Sequence, residues 1–115
     1  MTVRELSFRM RDINAPIAGS GITEIEMGRR GVSVDQLTAF ATALDTSVLA
    51  LLTPCTDDPE REAILSGSLP ETARNLYLWL RGERSLVDKI IDDEARNAWL
   101  GRTVPSWTWY SENKD

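Results

Sequence analysis

The fold of this chain is decided by the stretch Ser20-Gly-Ile-Thr-Glu-Ile-Glu-Met-Gly-Arg-Arg-Gly-Val-Ser-Val-Asp-Gln-Leu37. Ile22 and Ile25 have the spacing of the inner face of a short helix, and Gly28 can end that helix. A basic turn follows, after which Ser33 can cap a second helix. The stretch therefore predicts two short helices joined by a turn that carries two arginines.

Helical spacing continues on both sides of this stretch. Upstream, Val3, Leu6 and Met10 fall at i, i+3 and i+7, and Thr2 followed by Glu5 predicts a capping box. A short apolar helix over residues 48–52 is predicted to end at Thr53-Pro54. The apolar stripe of the helix after Ser33 is predicted to comprise Val34, Leu37, Phe40, Ala41 and Leu44.

Composition limits the function of the chain. With 115 residues, no histidine and the single Cys55, the chain offers no disulfide framework, no Cys/His zinc site and no imidazole base. We therefore expect neither an enzyme nor a protein with a metal or another cofactor. A signal peptide and an apolar run long enough for a membrane span are both absent from the sequence, which predicts a soluble cytoplasmic protein.

The location of charge matters more than the net charge of −5. Residues 1–52 contain five arginines and six acidic residues, whereas residues 53–115 contain eight basic and twelve acidic residues. Most of the excess negative charge thus belongs to the second half. A net charge of −1 on the first half predicts only modest non-specific affinity for DNA.

The pattern predicts three segments: a domain over residues 1–54, an acidic linker over 55–67, and a helical, Trp-rich segment over 68–115. A helix is expected to start at Ser68-Leu-Pro-Glu, and another to run from Ser85 to about Leu100. The tail from Pro105 alternates in polarity, which predicts a short strand or an extended arm. The inward residues of the two helices are predicted to be Ala73, Leu76, Tyr77 and Leu80, then Leu86, Ile90, Ala95 and Trp99.

Several of these residues carry a resemblance to a known family. The Glu5-Leu6 pair, the Ile22-Thr-Glu-Ile-Glu-Met-Gly-Arg-Arg30 stretch and the Val-x-Val-Asp-x-Leu that follows resemble the helix-turn-helix domain of the phage-repressor (Cro/C1, XRE-type) family. The version in immunity repressors of actinobacterial phages and mobile elements is the most similar. The resemblance covers roughly the first half of the chain. It implies an all-α, lambda-repressor-like fold in a repressor that occupies double-stranded operator DNA in a bacterial host.

The resemblance makes residues 17–27 the recognition helix, with exposed positions at Ala18, Gly19, Ser20, Gly21, Thr23 and Glu24. Ser20 and Thr23 can bond bases or phosphates but cannot make the bidentate contacts of Arg, Asn or Gln. Gly19 and Gly21 would allow close approach to the duplex. Arg29 and Arg30 are expected at phosphates, with Glu26 buttressing the turn. The predicted DNA-binding residues are Thr2, Arg4, Gly19, Ser20, Gly21, Thr23, Arg29 and Arg30.

The sequence leaves alternatives open for the arginines, for the first helix and for the function. Arg29 and Arg30 can instead pair with Glu24 or Glu26 in a solvated turn. The family's first helix has no counterpart here, so either the natural start lies upstream of Met1 or the exposed face is covered by a partner or by the C-terminal segment. The fold can also serve as an antirepressor or antitoxin without DNA binding.

The four tryptophans, which all lie in the second half, favour core packing, with a homodimer surface in the C-terminal segment as the alternative. Arg4, Arg9 and Arg11 favour a solvated helix face, from which one or two can reach phosphates. The acidic run from Asp92 to Glu94 is a solvated charged face rather than a metal site, because consecutive helical residues point in different directions.

Overall fold

The computed structural model describes residues 1–87 and 92–108, and within them the chain is mostly helical. It divides into two compact units, Met1–Leu51 and Leu52–Asp115. The chain is mostly helical, as the predicted all-α class requires, but a two-stranded ribbon in the second unit departs from that class. In chain order the elements are α1 (Val3–Asp12), α2 (Gly19–Glu26), α3 (Val34–Ala43), α4 (Val48–Leu52), β1 (Glu62–Ala63), β2 (Glu71–Thr72), α5 (Ala73–Leu80) and α6 (Asp93–Thr103).

Capping boxes begin both α1 and α3; the box at Thr2 and the cap at Ser33 are confirmed, and the reciprocal bond from Gln36 was not predicted. The Glu5 backbone N–H donates to Thr2 Oγ1 and the Thr2 N–H donates to the Glu5 carboxylate, each over 3.1 Å. Ser33 and Gln36 repeat this arrangement at α3, also with two distances of 3.1 Å. Each box satisfies backbone donors that a helix start otherwise leaves unpaired, so local sequence fixes both starts.

The helix α2 is shorter than the predicted span of residues 17–27. It begins at Gly19 after the N-cap Ala18, and Ile17 is buried ahead of it in the core. It ends at Glu26, and Gly28 follows with a φ of 72°, a conformation that glycine adopts without steric cost. The predicted stop at Gly28 is therefore confirmed.

The core of the first unit joins α1, α2 and α3. Met10 is completely buried at its centre, and Ile22 and Phe40 reach it from the other two helices. The predicted inward positions of α1 are confirmed, because Val3 and Leu6 pack against this cluster. The predicted stripe of α3 is wrong at Val34 and Leu44, which are 77% and 37% exposed because they lie at the two ends of the helix, at its first residue and its C-cap.

The second unit begins with an antiparallel ribbon in which Glu62 pairs with Thr72 and Ala63 with Glu71. Its first strand lies within the segment predicted as a linker. A helix was expected from Ser68, but α5 starts at Ala73. Ser68 instead closes a turn on Leu65, and the Thr72 side chain caps α5 by accepting from the Asn75 N–H.

Two further expectations for the second unit are corrected. Ala73 and Leu76 of α5 are buried as predicted, but Tyr77 is exposed and carries Arg81 over its ring at 5.3 Å. A helix was predicted from Ser85, but residues 85–87 are not helical. The last helix, α6, begins at Asp93, and the Asp92 side chain caps it by accepting from the Ala95 N–H. Ala95 and Trp99 are half-buried, and Ile90 lies outside the described residues.

The tail after α6 is described as far as residue 108. The Thr108 N–H donates to the Pro105 carbonyl over 3.0 Å, so the chain turns where a strand or extended arm was expected. Trp107 is 69% exposed, and Trp109 lies outside the described residues. None of the helices in residues 1–87 and 92–108 is long and apolar enough to cross a membrane.

Candidate nucleic-acid interface

The first turns of α2 present the smallest side chains of the predicted DNA-binding set. Ile22 is buried in the core, and Ser20 and Thr23 are exposed on other sides of the helix. The Thr23 hydroxyl donates to the Gly19 carbonyl over 3.1 Å, which leaves its methyl group and the two acceptor lone pairs of its oxygen for an external contact. Ser20 and Thr23 are therefore accessible, as predicted, but offer only short-reach contacts.

Gly21 is buried, which corrects the expectation that it lies exposed. A Cβ atom at this position would come within 2.7 Å of Arg30 Nη1 and 3.0 Å of Ile17 Cγ1. The guanidinium of Arg30 thus occupies the space that a side chain at position 21 would need. Gly19 is half-buried, with Val3 Cγ1 at an ordinary 3.4 Å from its Cβ position.

Arg29 and Arg30 follow α2 in a turn that is held by backbone hydrogen bonds. The Gly28 N–H donates to the Ile25 carbonyl over 3.0 Å, and the Arg29 N–H donates to the Glu24 carbonyl over 2.9 Å. Positive side chains next to the carbonyl end of a helix are electrostatically favourable. The turn therefore fixes the backbone from which both arginines extend.

Arg29 pairs with Glu24 over 3.6 Å, so the alternative of a paired arginine is realised for this side chain. The side chains remain 61% and 45% exposed, respectively. An exposed pair of this kind stabilises a protein by about 0–1 kcal/mol, so a phosphate can replace the carboxylate at little cost. The expected buttress, Glu26, is exposed, and Glu24 is the acidic partner in the described structure.

The outer face of α1 carries a second basic group. Arg4 and Arg11 lie 5.8 Å and 5.4 Å from the centroid of the Phe8 ring, which leaves the side chain of Phe8 between two guanidinium groups. An open cleft of about 390 Å³ lies between this face and the start of α2. Its lining residues are Val3, Arg4, Ser7, Phe8, Arg11 and Gly19.

Basic side chains consequently flank the first turn of α2 from two directions. Arg4 shares the cleft with Gly19, while Arg30 lies against Gly21. The start of α2 has no side-chain cap, in contrast to α1 and α3; the Gly21 N–H donates to the Ala18 carbonyl over 2.9 Å, and the Gly19 and Ser20 N–H groups ahead of it can donate to an anion. The arrangement suits a polyanion that runs along the start of α2.

Two predicted contacts on α1 have local structural roles. Thr2 caps the helix by accepting from the Glu5 N–H, and its side chain is exposed. Arg9 Nη1 donates to the Ala43 carbonyl over 3.1 Å and so satisfies a carbonyl at the end of α3. Arg9 is thereby separated from Arg4 and Arg11. The i, i+4 and i+7 spacing of Arg4, Phe8 and Arg11 was the signal that could have predicted their grouping.

A feature that the sequence did not predict is a cleft of about 570 Å³ within the second unit. Trp79 and Trp99 line it together with the turn at 66–71. Glu71 is buried there and accepts from Asn75 Nδ2 over 3.0 Å, and Asn75 Oδ1 accepts from Arg84 over 2.9 Å. Two of the four tryptophans thus line a cavity instead of a closed core.

No match to this chain was found among protein-family models, curated proteins or solved structures. Within residues 1–87 and 92–108, no cluster of three or more His, Cys, Asp or Glu residues is placed to hold a metal ion. Cys55 is an exposed thiol.

Proposed function

We propose that the first unit is a lambda-repressor-like helix-turn-helix domain that binds double-stranded operator DNA, in a transcriptional repressor of the phage-immunity type. The observation that carries the proposal is the placement of Arg4 and Arg30 on two sides of the uncapped first turn of α2. In a helix-turn-helix protein, the start of the second helix meets base edges while flanking groups hold phosphates. Here α1 and α2 would be those two helices.

The proposed DNA contacts of this domain are of two kinds, contacts to bases and contacts to phosphates. Ser20 and Thr23 face the bases, and Arg29 and Arg4 neutralise phosphates on either side. Gly19 contributes its backbone N–H at the start of α2, where a phosphate is electrostatically favoured, and the Thr2 hydroxyl, which accepts from the Glu5 N–H, can donate its own hydrogen to a phosphate oxygen. Binding is therefore expected to fall steeply as the salt concentration rises.

A homodimer formed through the second unit is part of the proposal. Exposed apolar side chains in this unit include Leu69, Val87 and Trp107. Covering such side chains with a partner removes apolar surface from water and stabilises the association. Two copies would read two half-sites, which compensates for the short side chains on each α2. Sedimentation velocity of the full chain across a concentration series measures this association.

The test is a salt titration of the full chain with a promoter library from the source genome and with random duplex DNA. The Arg29→Ala/Arg30→Ala variant is compared with Arg74→Ala/Arg81→Ala, which removes the same charge from the second unit, where both arginines pair with exposed glutamates. We expect selective binding that only the first variant weakens, with a salt slope shallower by about 1 on the logarithmic scale through loss of the phosphate contact of Arg29.

Equal losses in the two variants would mean that charge alone drives binding and would contradict the assignment of the site. Binding no tighter than to random duplex at low salt would overturn the DNA-binding proposal. That result would favour a protein-interaction role, as an antirepressor or antitoxin.

A further inference from the structure

The Arg30 guanidinium occupies the position on α2 where a side chain of residue 21 would lie. Position 21 carries no side chain of its own, and the Arg30 guanidinium lies where that side chain would begin, with Nη1 2.7 Å from the Cβ position. Arg30 extends from the turn after α2 and reaches back to the first turn of the helix. A guanidinium is thus presented near the start of α2 although none of its eight residues is an arginine.

This placement matters because α2 lacks side chains that discriminate bases strongly. Ser20 and Thr23 form single hydrogen bonds, and neither can form the bidentate pairs that distinguish one base pair from another. A guanidinium donates two parallel N–H groups, which match the O6 and N7 acceptors of guanine in the major groove. The first turn is also the part of a recognition helix that lies nearest to base edges.

We propose that Arg30 is the specificity-determining residue of the DNA site, that it reads a guanine beside the first turn of α2, and that Gly21 is the positioning residue that gives it room. The inference rests on the proposed DNA-binding function. It assigns to Arg30 a role different from that of Arg29, whose guanidinium is drawn to Glu24 and stays at the turn. Arg29 contacts the phosphate backbone, and Arg30 contacts a base.

The first experiment selects duplexes from a random pool with the wild-type chain and with the Arg30→Lys and Arg29→Lys variants. Lysine keeps the charge but loses the planar pair of donors. Arg30→Lys is expected to lower the preference for guanine at one position of the half-site by about 5- to 150-fold. Arg29→Lys is expected to retain the same base preferences, because a point charge still serves a phosphate.

The second experiment moves the guanidinium without removing it. In Gly21→Ala the new methyl group displaces the flexible end of Arg30, and Ile17 must shift by a few tenths of an ångström. The same guanine preference is expected to fall although Arg30 is present, and Gly21→Ala is expected to add no further loss to Arg30→Lys. The matched control is Gly31→Ala, whose methyl group meets nothing within 4 Å and should leave the base preferences unchanged.

Circular dichroism of each variant establishes that the helices are intact. If Gly21→Ala unfolds, replacing the preferred guanine by 7-deazaguanine tests the same contact from the DNA side. The replacement should weaken wild-type binding more than Arg30→Lys binding, because a lysine ammonium lacks the parallel pair of donors that matches O6 and N7 together.

The outcomes separate the inference from the proposed function. A wild-type chain that selects no sequence overturns both. Selective wild-type binding with unchanged base preferences in Arg30→Lys overturns the inference and leaves the DNA-binding proposal standing.

Discussion

Single polar side chains determine where the helices of the first unit begin. Thr2 and Ser33 each precede a helix by one residue, and each exchanges two hydrogen bonds with the residue three positions later. These bonds need only residues that are close in sequence. For that reason the Thr2 capping box and the Ser33 cap were predictable from the sequence, and both are confirmed.

Replacing Ser33 by alanine should destabilise the first unit by about 1 kcal/mol, because the Gln36 N–H at the start of α3 loses its acceptor. Urea unfolding followed by far-ultraviolet circular dichroism measures the change. The control is Ser33→Asp, which keeps an acceptor and adds a favourable negative charge at the helix start. Equal stability of the alanine and aspartate variants would contradict the prediction.

Gly21 shows where residue-level reasoning from sequence fails. Its position on α2 predicted exposure, but the side chain that covers it belongs to Arg30, nine positions later. The rotamer of a long, flexible side chain is decided by packing and solvation in the folded state. A pattern of residue types contains no such information, and the same holds for the bond from Arg9 to the Ala43 carbonyl.

Among the elements, α4 is the least anchored helix of residues 1–52. It has five residues and none is buried, whereas α1 and α3 each have ten residues and contribute to the core. Isolated helical segments of this length are unstable in water. We expect the backbone amides of α4 to exchange with deuterium faster than those in the middle of α1, as measured by NMR. Equal protection of the two helices would contradict this expectation.

Two glycines of the second unit provide a matched pair of substitutions. Gly82 ends α5 with a φ of 75°, and a Cβ there would lie 3.1 Å from Val104 Cγ1, so Gly82→Ala should lower the free energy of unfolding by about 1–2 kcal/mol. Gly101 lies within α6 in open space, so Gly101→Ala should raise it by up to about 1 kcal/mol. The thermal unfolding midpoint should fall for Gly82→Ala and rise for Gly101→Ala. Shifts of the same sign would contradict the different roles of the two glycines.

The ribbon of β1 and β2 is the element that the sequence could not predict. Each strand has two residues, so neither contains enough positions to show an alternating pattern. The pairing of Glu62 with Thr72 depends instead on the turn that Ser68 closes. Helices α1 and α3 span ten residues each, and their periodicity was sufficient to predict them.

At the scale of the whole molecule, the completely buried large side chains among residues 1–87 and 92–108 are Met10 in the first unit and Leu76 in the second. Met10→Ala should destabilise the first unit by about 2–5 kcal/mol, because it removes apolar contacts and leaves a cavity. Met10→Leu, which conserves volume, should cost less than about 1.5 kcal/mol. Comparing the urea midpoints of the two variants measures the difference. Similar midpoints would show that the site relaxes around the smaller side chain.

Charged residues are distributed unevenly between the two units of the chain. The sequence placed the excess acid in the second half, and the structure shows in addition that Arg9 is used within the first unit. Four arginines of the first unit remain for an external anion, two on α1 and two at the turn after α2. Net charge alone therefore does not describe where these arginines lie relative to α2, which itself carries Glu24 and Glu26.

The distribution of aromatic residues makes the two units optically distinct. All four tryptophans and both tyrosines lie beyond residue 76, and the aromatic residues of the first unit are Phe8 and Phe40. Excitation at the red edge of protein absorbance therefore reports on the second unit alone, without any label. If DNA contacts only the first unit, the emission spectrum stays constant during a titration; a spectral shift reveals that the second unit responds when the first is occupied.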